Sequence, residues 1–193
     1  MGSQFVFKHK SMTDTYKARL VVRGDQEFPK ALPEDTYSAT PAAAEIRILY
    51  SIATQLRRPV HSCDITQAFV QSNDLPPRST LYVHPPHGYN TTQNVVWKLI
   101  KPLYGLSIAP KAWADTLKEF LKNFGFTSVN CSDTFYVLNR PNGDSIHLVF
   151  HVDNILFSFS SDQLGLDFKN ALLTRFEGTD DGPVKCFVGI DVS

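Results

Sequence analysis

The order of apolar and polar residues along the chain predicts short strands interleaved with helices. Alternating or apolar runs at 5–9, 16–22, 81–83, 95–99 and 135–139 predict strands, as do the runs that begin at Val60, Ile146, Ile155 and Cys186. Because strands and helices do not follow a strict βαβ alternation, the pattern favours an α+β fold over a doubly wound sheet.

Three helices are predicted from apolar residues at helical spacing. The first begins at Thr40-Pro41, with Thr40 as N-cap, the second runs from Ala109 to Gly125, and the third has Asp162 as N-cap. Their buried faces are predicted to contain Ile46, Leu49, Ala53 and Leu56, then Trp113, Leu117, Phe120, Leu121 and Phe124, then Leu166, Phe168, Leu172 and Phe176.

One hairpin is especially informative, because two apolar runs, 146–152 and 155–159, are separated only by Asp153-Asn154. Two strands joined by two such residues form a tight turn, and Asp and Asn tolerate the positive φ that these turns often need. The hairpin is expected to hold a carboxylate at the edge of a sheet, which is unfavourable unless a cation or water meets it.

Composition indicates a globular chain without an overall charge bias. The 193 residues are 42% hydrophobic and 20% charged, and a net charge of +0 gives no global attraction for nucleic acid. A local patch could supply it, and the N-terminal stretch offers Lys8, Lys10, Lys17, Arg19 and Arg23.

Cysteine usage and hydropathy exclude several classes of protein. Cys63, Cys131 and Cys186 are far apart and form no C-x-x-C pair, which argues against a disulfide scaffold or zinc site and favours a reducing compartment. No apolar run is long enough to span a membrane, so no membrane partner is expected.

Asp64, at the end of the strand that starts at Val60, is a second carboxylate in an apolar context. Asp64 and Asp153, if brought together, would repel each other unless a divalent cation lay between them, and their oxygens suit Mg²⁺ or Mn²⁺. Two such ions roughly 3.5–4 Å apart can activate a hydroxyl and stabilise a leaving phosphate oxygen. Spacing alone leaves solvated or capping aspartates as an alternative.

Five motifs occur along the chain in a particular order. They are KARLVVRG at 17–24, VHSCDITQAFV at 60–70, WKL at 97–99 leading into PLYGL at 102–106 and APKAW at 109–113, FHVDN at 150–154, and FVGI at 187–190. Together they resemble the motifs of Ty1/copia-type retrotransposon reverse transcriptases, in that family's order and over nearly the whole chain.

The resemblance implies the right-hand fingers and palm of a polymerase, with a ferredoxin-like palm whose antiparallel sheet packs on helices. Residues 1–40 and 72–106 would form the fingers, and 41–71 and 107–193 the palm, which would end at the primer-grip strand without a thumb or RNase H. The implied activity is RNA-directed DNA synthesis by two-metal nucleotidyl transfer, with Mg²⁺ or Mn²⁺ as cofactor. Template-primer, dNTPs and other parts of the polyprotein would be partners, and family habit implies cytoplasmic virus-like particles or the nucleus.

The resemblance also implies roles for individual residues. Asp64, Asp153 and Asn154 would form the catalytic set, with the two aspartates and the Ile65 carbonyl as metal ligands. Nucleotide binding would use Lys17 and Arg19 at the triphosphate, Phe69 as a steric gate against the ribose 2′-OH, and Tyr104 and Gly105 beside the base. Primer or template contacts would come from His151, Phe187, Val188 and Gly189.

Departures from the family pattern at two places, the hairpin and the segment just before the second helix, imply weakened chemistry. Asn154 stands where the family has a second aspartate, so the site has one negative charge fewer, and charge next to metal ions is worth several kcal/mol. Each ~1.4 kcal/mol is tenfold in rate, so we hypothesise a loss on the order of a hundredfold or more. His151 also replaces a tyrosine, and Ser107-Ile108 replace a lysine and a glutamine near the template.

The sequence leaves other interpretations open. A non-catalytic nucleic-acid-binding or interaction module of the same fold would explain Asn154, and an unrelated α+β domain would require every motif to be coincidental. Lys17 and Arg19 could be solvated charges, Phe69 a core residue and Gly105 a simple turn.

Two other clusters are expected to be structural. His84 and His87 have a ligand-like spacing, but no cysteine or acidic residue is nearby, so a loop pair is expected rather than zinc. The segment from Asp180 to Gly182 lacks calcium-loop spacing and is expected to be a polar turn.

Overall fold

The computed structural model describes residues 1–10, 14–27, 31–75, 80–89, 95–129, 132–184, 186–187 and 190–191. The chain divides into two compact units. The first unit comprises Met1–Ser38 and Phe69–Thr116, and the second comprises Ala39–Ala68 and Leu117–Ser193. The assignment of fingers and palm to parts of the chain stays a prediction.

Strands and helices alternate irregularly along the chain. The strands are β1 (Ser3–Lys10), β2 (Thr15–Val22), β3 (Val60–Ile65), β4 (Leu81–Val83), β5 (Trp97–Leu99), β6 (Thr127–Ser128), β7 (Phe135–Asn139), β8 (Ser145–His151), β9 (Asn154–Phe159), β10 (Gly178–Pro183), β11 (Cys186–Phe187) and β12 (Ile190–Asp191). The helices are α1 (Pro33–Thr36), α2 (Ala43–Gln55), α3 (Ala109–Phe124) and α4 (Asp162–Arg175), with 3₁₀ turns at Gly24–Gln26 and Ala68–Gln71.

The first unit is built on two antiparallel ribbons, β1–β2 and β4–β5. Its buried apolar cluster contains Val22, Val83, Leu99, Leu106 and Ala109, with Phe69 and Ile108 among the partly buried residues packed against it. Each ribbon contributes one or two inward side chains, so much of the β1–β2 ribbon stays exposed to solvent.

The second unit contains a six-stranded antiparallel sheet of order β10-β3-β9-β8-β7-β6. One cluster packs Ile46 and Leu49 of α2 against Val149 and Leu156 of the sheet. Phe157 points the other way, and its ring centroid lies 5.1 Å from that of Phe168 on α4. Alternate residues of one strand face opposite sides of a sheet, so helices cover both faces. The α+β prediction is confirmed at this level, while the right-hand arrangement stays a prediction.

Both predicted N-caps were displaced. Helix α2 begins at Ala43, not at Thr40-Pro41, because the Glu45 side chain accepts the Ala42 N–H at 2.8 Å and caps the helix there. Helix α4 is capped by Ser161, whose hydroxyl accepts the Leu164 N–H, and Asp162 is the first helical residue.

The predicted helix faces are largely buried, with two errors. Leu56 is the C-cap that follows the last residue of α2, and it is 50% exposed. Leu166 of α4 is 47% exposed, and Leu164 is buried instead. Trp113, Leu117 and Leu121 of α3 are fully buried, as predicted.

The end of the chain is more strand-rich than predicted. The segment from Asp180 to Gly182 is part of β10, which pairs with β3 through a bulge, and so the prediction of a simple polar turn is wrong. The single C-terminal strand predicted from Cys186 is instead two short paired strands, β11 and β12. Among the described residues, no helix is long and apolar enough to cross a membrane.

Candidate functional site

The turn of the β8–β9 hairpin lies one residue earlier than predicted. His151 pairs with Asn154, so Val152 and Asp153 form the turn and Asn154 opens β9. The positive φ falls on Val152, at 53°. A β-branched residue is strained there, and such strain persists only where the surrounding structure enforces it.

The hairpin also lies in the interior of the sheet, since β9 is flanked by β3 and β8. The expectation of a sheet-edge position is therefore wrong for the strands. Asp153 projects instead from the end of two central strands, where main-chain pairing on both sides of β9 restricts the position of the turn.

Strand β3 brings Asp64 beside this turn. Asp64 pairs with Asn154 of β9 on one side and with Thr179 of β10 on the other. The Ile65 N–H donates to the Asp153 carbonyl at 2.8 Å. Asp64, at the end of β3, therefore lies one register step from Asp153, which is in the turn directly before β9.

Asn154 lies directly opposite Asp64 in the β3–β9 ladder. Side chains at such positions are close, and like charges there destabilise a sheet. Asparagine avoids that repulsion, and its Nδ2 donates to Asp153 Oδ1 at 3.3 Å. The amide thus stabilises the arrangement of the turn without a cation.

Gly178 is a supporting residue that the sequence analysis missed. It pairs with Ile65, and a Cβ at this position would lie 2.6 Å from the Asp64 carbonyl oxygen. Any side chain would therefore push β10 away from the strand that carries Asp64. The available signal was a glycine three residues after the end of helix α4, where the sequence pattern predicts a turn.

The side-chain oxygens near the hairpin turn are of the type that binds hard divalent cations such as Mg²⁺. The Asp64 and Asp153 carboxylates and the Asn154 amide oxygen lie on adjoining backbone positions, next to Ile65. Mg²⁺ is commonly held by one or two carboxylates, with waters and substrate phosphates completing its coordination. No group of three or more His, Cys, Asp or Glu side chains suited to a metal occurs in the described part of the chain. The donor set is therefore short of negative charge.

The predicted primer or template residues have different environments. His151 is half-buried beside the turn. Phe187 is 2% exposed and packs in the core with Ile46 and Leu49, so its side chain is closed to a ligand. Val188 and Gly189 lie outside the described residues.

In the first unit, Arg19, Tyr104 and Phe69 form one aromatic–cationic group. The Arg19 guanidinium carbon lies 5.4 Å from the centre of the Tyr104 ring, and the Phe69 ring lies 4.9 Å from it. Arg19 Nε is buried and has no hydrogen-bond partner among the described residues. A buried unpaired donor is costly, and an anion would satisfy it.

The Tyr104–Gly105 turn is bound tightly to the end of β2. The Val22 N–H donates to the Tyr104 carbonyl at 2.7 Å, and Val21 forms an isolated parallel bridge with Tyr104. Gly105 has φ of 95°, and a Cβ there would lie 2.0 Å from the Val22 carbonyl oxygen. Only glycine fits this crossing, which fixes Tyr104 relative to the strand of Arg19.

Lys17 pairs across the β1–β2 ribbon with Lys8, and Arg19 pairs with Val6. These residues share one face because side chains alternate along strands. Like charges placed directly opposite are unfavourable, and neither lysine forms an ion pair within the described ranges. This face is therefore suited to an anion.

The two substituted residues near the predicted template have structural contacts. Ser107 Oγ donates to Glu27 Oε2 at 2.6 Å, and Glu27 is 6% exposed. Ile108 packs against the apolar cluster of the first unit. Each side chain therefore contributes to the packing or polar pairing of this unit.

The remaining chemically suggestive residues are structural. Cys63 is fully buried, and burial, together with the nearby Asp180 charge, raises the pKa of its thiol to about 12. Asp180 Oδ2 accepts from Lys169 Nζ at 2.7 Å, so this carboxylate joins β10 to α4. His84 uses its backbone N–H and carbonyl to bind Met1 and Ser3.

Comparison with known proteins extends over the whole chain. The family model described as "Reverse transcriptase (RNA-dependent DNA polymerase)" matches residues 1–193. The Retrovirus-related Pol polyprotein from transposon RE1 of Arabidopsis thaliana is 31% identical over 198 residues, covering 99% of this chain and 13% of its own length. The transposon RE2 polyprotein from the same plant is 28% identical, covering 99% of this chain and 13% of its own length.

A third relative comes from another plant. The Pol polyprotein from transposon TNT 1-94 of Nicotiana tabacum is 28% identical over 195 residues, covering 98% of this chain and 14% of its own length. The chain therefore spans only a small part of each of these curated relatives.

Proposed function

The chain belongs to the reverse transcriptase (RNA-dependent DNA polymerase) family, in its copia type, and from that premise we propose that it is an RNA-directed DNA polymerase domain with a weakened catalytic site. The observation that carries the proposal is the strand register that puts Asp64 next to the Asp153 turn. The proposed reaction is nucleotidyl transfer from a dNTP to a primer 3′-OH.

The acidic residues of the second unit would hold the cofactor. Asp64 and Asp153, with the Ile65 carbonyl, would be the ligands of Mg²⁺, or of Mn²⁺ in its place. When bound, the two ions supply activation of the primer hydroxyl and stabilisation of the leaving phosphate oxygen. The rigid register of β3 and β9 would keep both carboxylates oriented before substrate arrives.

The cationic residues of the first unit would hold the incoming nucleotide. Arg19 would use its unpaired Nε on the triphosphate, and Lys17 would add a second charge. Phe69, held against Tyr104, would act as the gate against a ribose 2′-OH. Tyr104 and Gly105 would lie beside the nucleotide and the template base.

Asn154 would limit the rate of this chemistry. It contributes a neutral oxygen, and its Nδ2 already donates to Asp153, so it competes with a cation for that carboxylate. The charge deficit corresponds to a loss on the order of a hundredfold or more, at ~1.4 kcal/mol for each factor of ten.

The wider biological setting is also part of the proposal. The two units would be the fingers and palm of a right-hand polymerase, acting on template-primer with other parts of a Pol polyprotein. Phosphate contacts would dominate binding, which would therefore weaken steeply with salt. The setting would be cytoplasmic virus-like particles or the nucleus.

A second candidate function is a non-catalytic nucleic-acid-binding module that keeps the fold. The observation that favours it is the Asn154–Asp153 hydrogen bond, together with the absence of a carboxylate opposite Asp64. Such a hairpin is stable without metal. Lys17, Arg19 and Tyr104 would then serve binding alone.

Primer extension on an RNA template distinguishes the two candidates. The native chain, Asn154→Asp and Asp153→Asn would be compared in Mg²⁺ and in Mn²⁺. The polymerase proposal expects extension to rise about a hundredfold in Asn154→Asp and to vanish in Asp153→Asn. Equal signals from Asn154→Asp and Asp153→Asn would exclude it and leave the binding module.

A further inference from the structure

The β1–β2 ribbon has one face made largely of aromatic rings. In the ribbon register, Phe5 pairs with Leu20, Phe7 with Ala18 and His9 with Tyr16. Directly paired residues, and residues two apart on a strand, point to the same side. Phe5, Phe7, His9 and Tyr16 therefore share one surface, which we call the aromatic face.

The rings of the aromatic face are unusually open to solvent. Phe7 is 73% exposed, Tyr16 is 81% exposed and Phe5 is 44% exposed. Large aromatic side chains normally dominate cores or interfaces, and contiguous exposed apolar surface marks a binding site. The aromatic face contributes little to the folded core of its unit, so its composition requires another explanation.

The spacing of the rings fits unstacked bases. The centres of Phe5 and Phe7 are 6.0 Å apart, and those of His9 and Tyr16 are 4.7 Å apart. Bases in one strand of a duplex stack about 3.4 Å apart, so neighbouring bases of a duplex would not each meet a separate ring. An extended single strand can place successive bases on successive aromatic side chains.

The charge of the ribbon is complementary to nucleic acid. Residues 1–23 contain five Lys or Arg residues and a single acid, Asp14. That acid is engaged, since Asp14 Oδ1 lies 2.9 Å from His9 Nε2. Lys8 and Lys17 face each other on the side of the ribbon opposite to the rings. A polyanion lying on the aromatic face would therefore contact the rings, while the excess positive charge of the ribbon attracts it at longer range.

We propose that the aromatic face is a stacking platform for unpaired nucleotides of a single-stranded nucleic acid. Phe7 and Tyr16 each receive a base, while Lys8 and Lys17 attract the phosphates. The inference rests on the proposed function only in the choice of partner, because stacking requires neither metal nor a reacting nucleotide.

Fluorescence anisotropy with a short labelled oligothymidine, in EDTA, tests the platform directly. Phe7→Ala and Tyr16→Ala remove exposed rings and so keep the fold, which circular dichroism checks. Each is expected to raise Kd roughly tenfold, the usual effect of losing one stacked base. Tyr37→Ala is the matched control, because Tyr37 is 66% exposed in the same unit but lies outside the ribbon.

The salt dependence separates stacking from charge. Phe7→Ala is expected to leave the slope of log K against log salt unchanged, whereas Lys8→Ala removes one attracting charge and should reduce the slope by up to about 0.7. A matched oligomeric duplex should bind without sensitivity to Phe7→Ala. Such a pattern would support a platform for single strands.

Three results would overturn the inference. One is a Kd for Phe7→Ala and Tyr16→Ala equal to that of the native chain. Another is a native chain that does not bind the oligonucleotide at low salt. The third is self-association of the chain that these two substitutions abolish without affecting nucleic acid binding, since the face would then be a protein interface. Failed primer extension leaves this test intact, because EDTA prevents catalysis in every arm.

Discussion

The candidate site residues of the two units have opposite charges and lie on different kinds of β-sheet. In the second unit, Asp64 lies on β3 and Asp153 in the turn directly before β9, and both of these strands are interior strands of a six-stranded sheet. In the first unit, Lys17 and Arg19 lie on a two-stranded ribbon. Substitution of Asn154 by Asp therefore changes the charge at a position whose backbone is paired on both sides. Substitutions on the ribbon change side chains on a strand that is paired on one side.

The largest change in stability is expected at the Tyr104–Gly105 turn, which anchors the β1–β2 ribbon to the first unit. Gly105→Ala would place a Cβ 2.0 Å from the Val22 carbonyl oxygen at a positive φ. We expect a loss of about 2–4 kcal/mol in the free energy of unfolding of the first unit. Urea unfolding followed by tryptophan fluorescence reports it, because Trp97 and Trp113 both belong to this unit.

Gly88→Ala is the matched control for that change. Gly88 lies in the same unit at φ of 88°, but a Cβ there would meet nothing within 4 Å. Gly88→Ala should lower the free energy of unfolding by roughly 1 kcal/mol, which is the strain of a non-glycine residue in the left-handed region. Equal losses for Gly105→Ala and Gly88→Ala would show that the crossing with β2 does not anchor the ribbon.

The next largest effect is expected at the strained turn of the second unit. Val152→Asn places at φ of 53° a residue that tolerates this conformation. We expect the second unit to gain about 1 kcal/mol in free energy of unfolding, measured by circular dichroism. A loss of stability would mean that the valine side chain supports the turn more than its backbone strains it.

A smaller change in stability is expected when a negative charge is added at the hairpin by a substitution that keeps the size of the side chain. Without metal, Asn154→Asp should lower the free energy of unfolding by roughly 0.2–1 kcal/mol, because a carboxylate then faces Asp64 across the ladder. Mg²⁺ should reverse the loss by binding the folded state. Asn170→Asp, an exposed helix position, adds the same charge elsewhere and should show no such reversal.

The smallest effect concerns pH and belongs to the second unit. Burial, and then the charge of Arg58, lowers the pKa of His147. The unfolded chain therefore binds a proton more readily below pH about 6.5, so stability should fall as pH drops from about 7 to about 5. His147→Gln should flatten this fall in thermal unfolding. An unchanged slope would mean that His147 is equally easy to protonate in both states.

Much of the fold was predictable, because its strands and helices are long and periodic. Apolar spacing and turn residues correctly predict the hairpins at 5–22 and 135–151. They also predict the start of α3 at Ala109 and its termination by Gly125. The five sequence motifs predict the copia-type reverse transcriptase family, and the comparisons with known proteins confirm it.

The errors have physical causes. Asp153-Asn154 looks like the turn because both residues tolerate positive φ, yet the sheet register places that φ on Val152. Strand β10 was missed because glycine, aspartate and proline disfavour strands, and pairing with β3 overrides that preference. Local propensity could not reveal either tertiary constraint.

Mn²⁺ titration followed by electron paramagnetic resonance tests the central claim most directly, because it measures the hairpin site without requiring template or primer. The native chain, Asn154→Asp and Asp153→Asn would be titrated under the same conditions. The account predicts binding at least about tenfold tighter in Asn154→Asp than in the native chain, and loss of that site in Asp153→Asn. Identical affinities in all three would contradict the claim that Asp64, Asp153 and residue 154 form a metal site weakened by one missing charge.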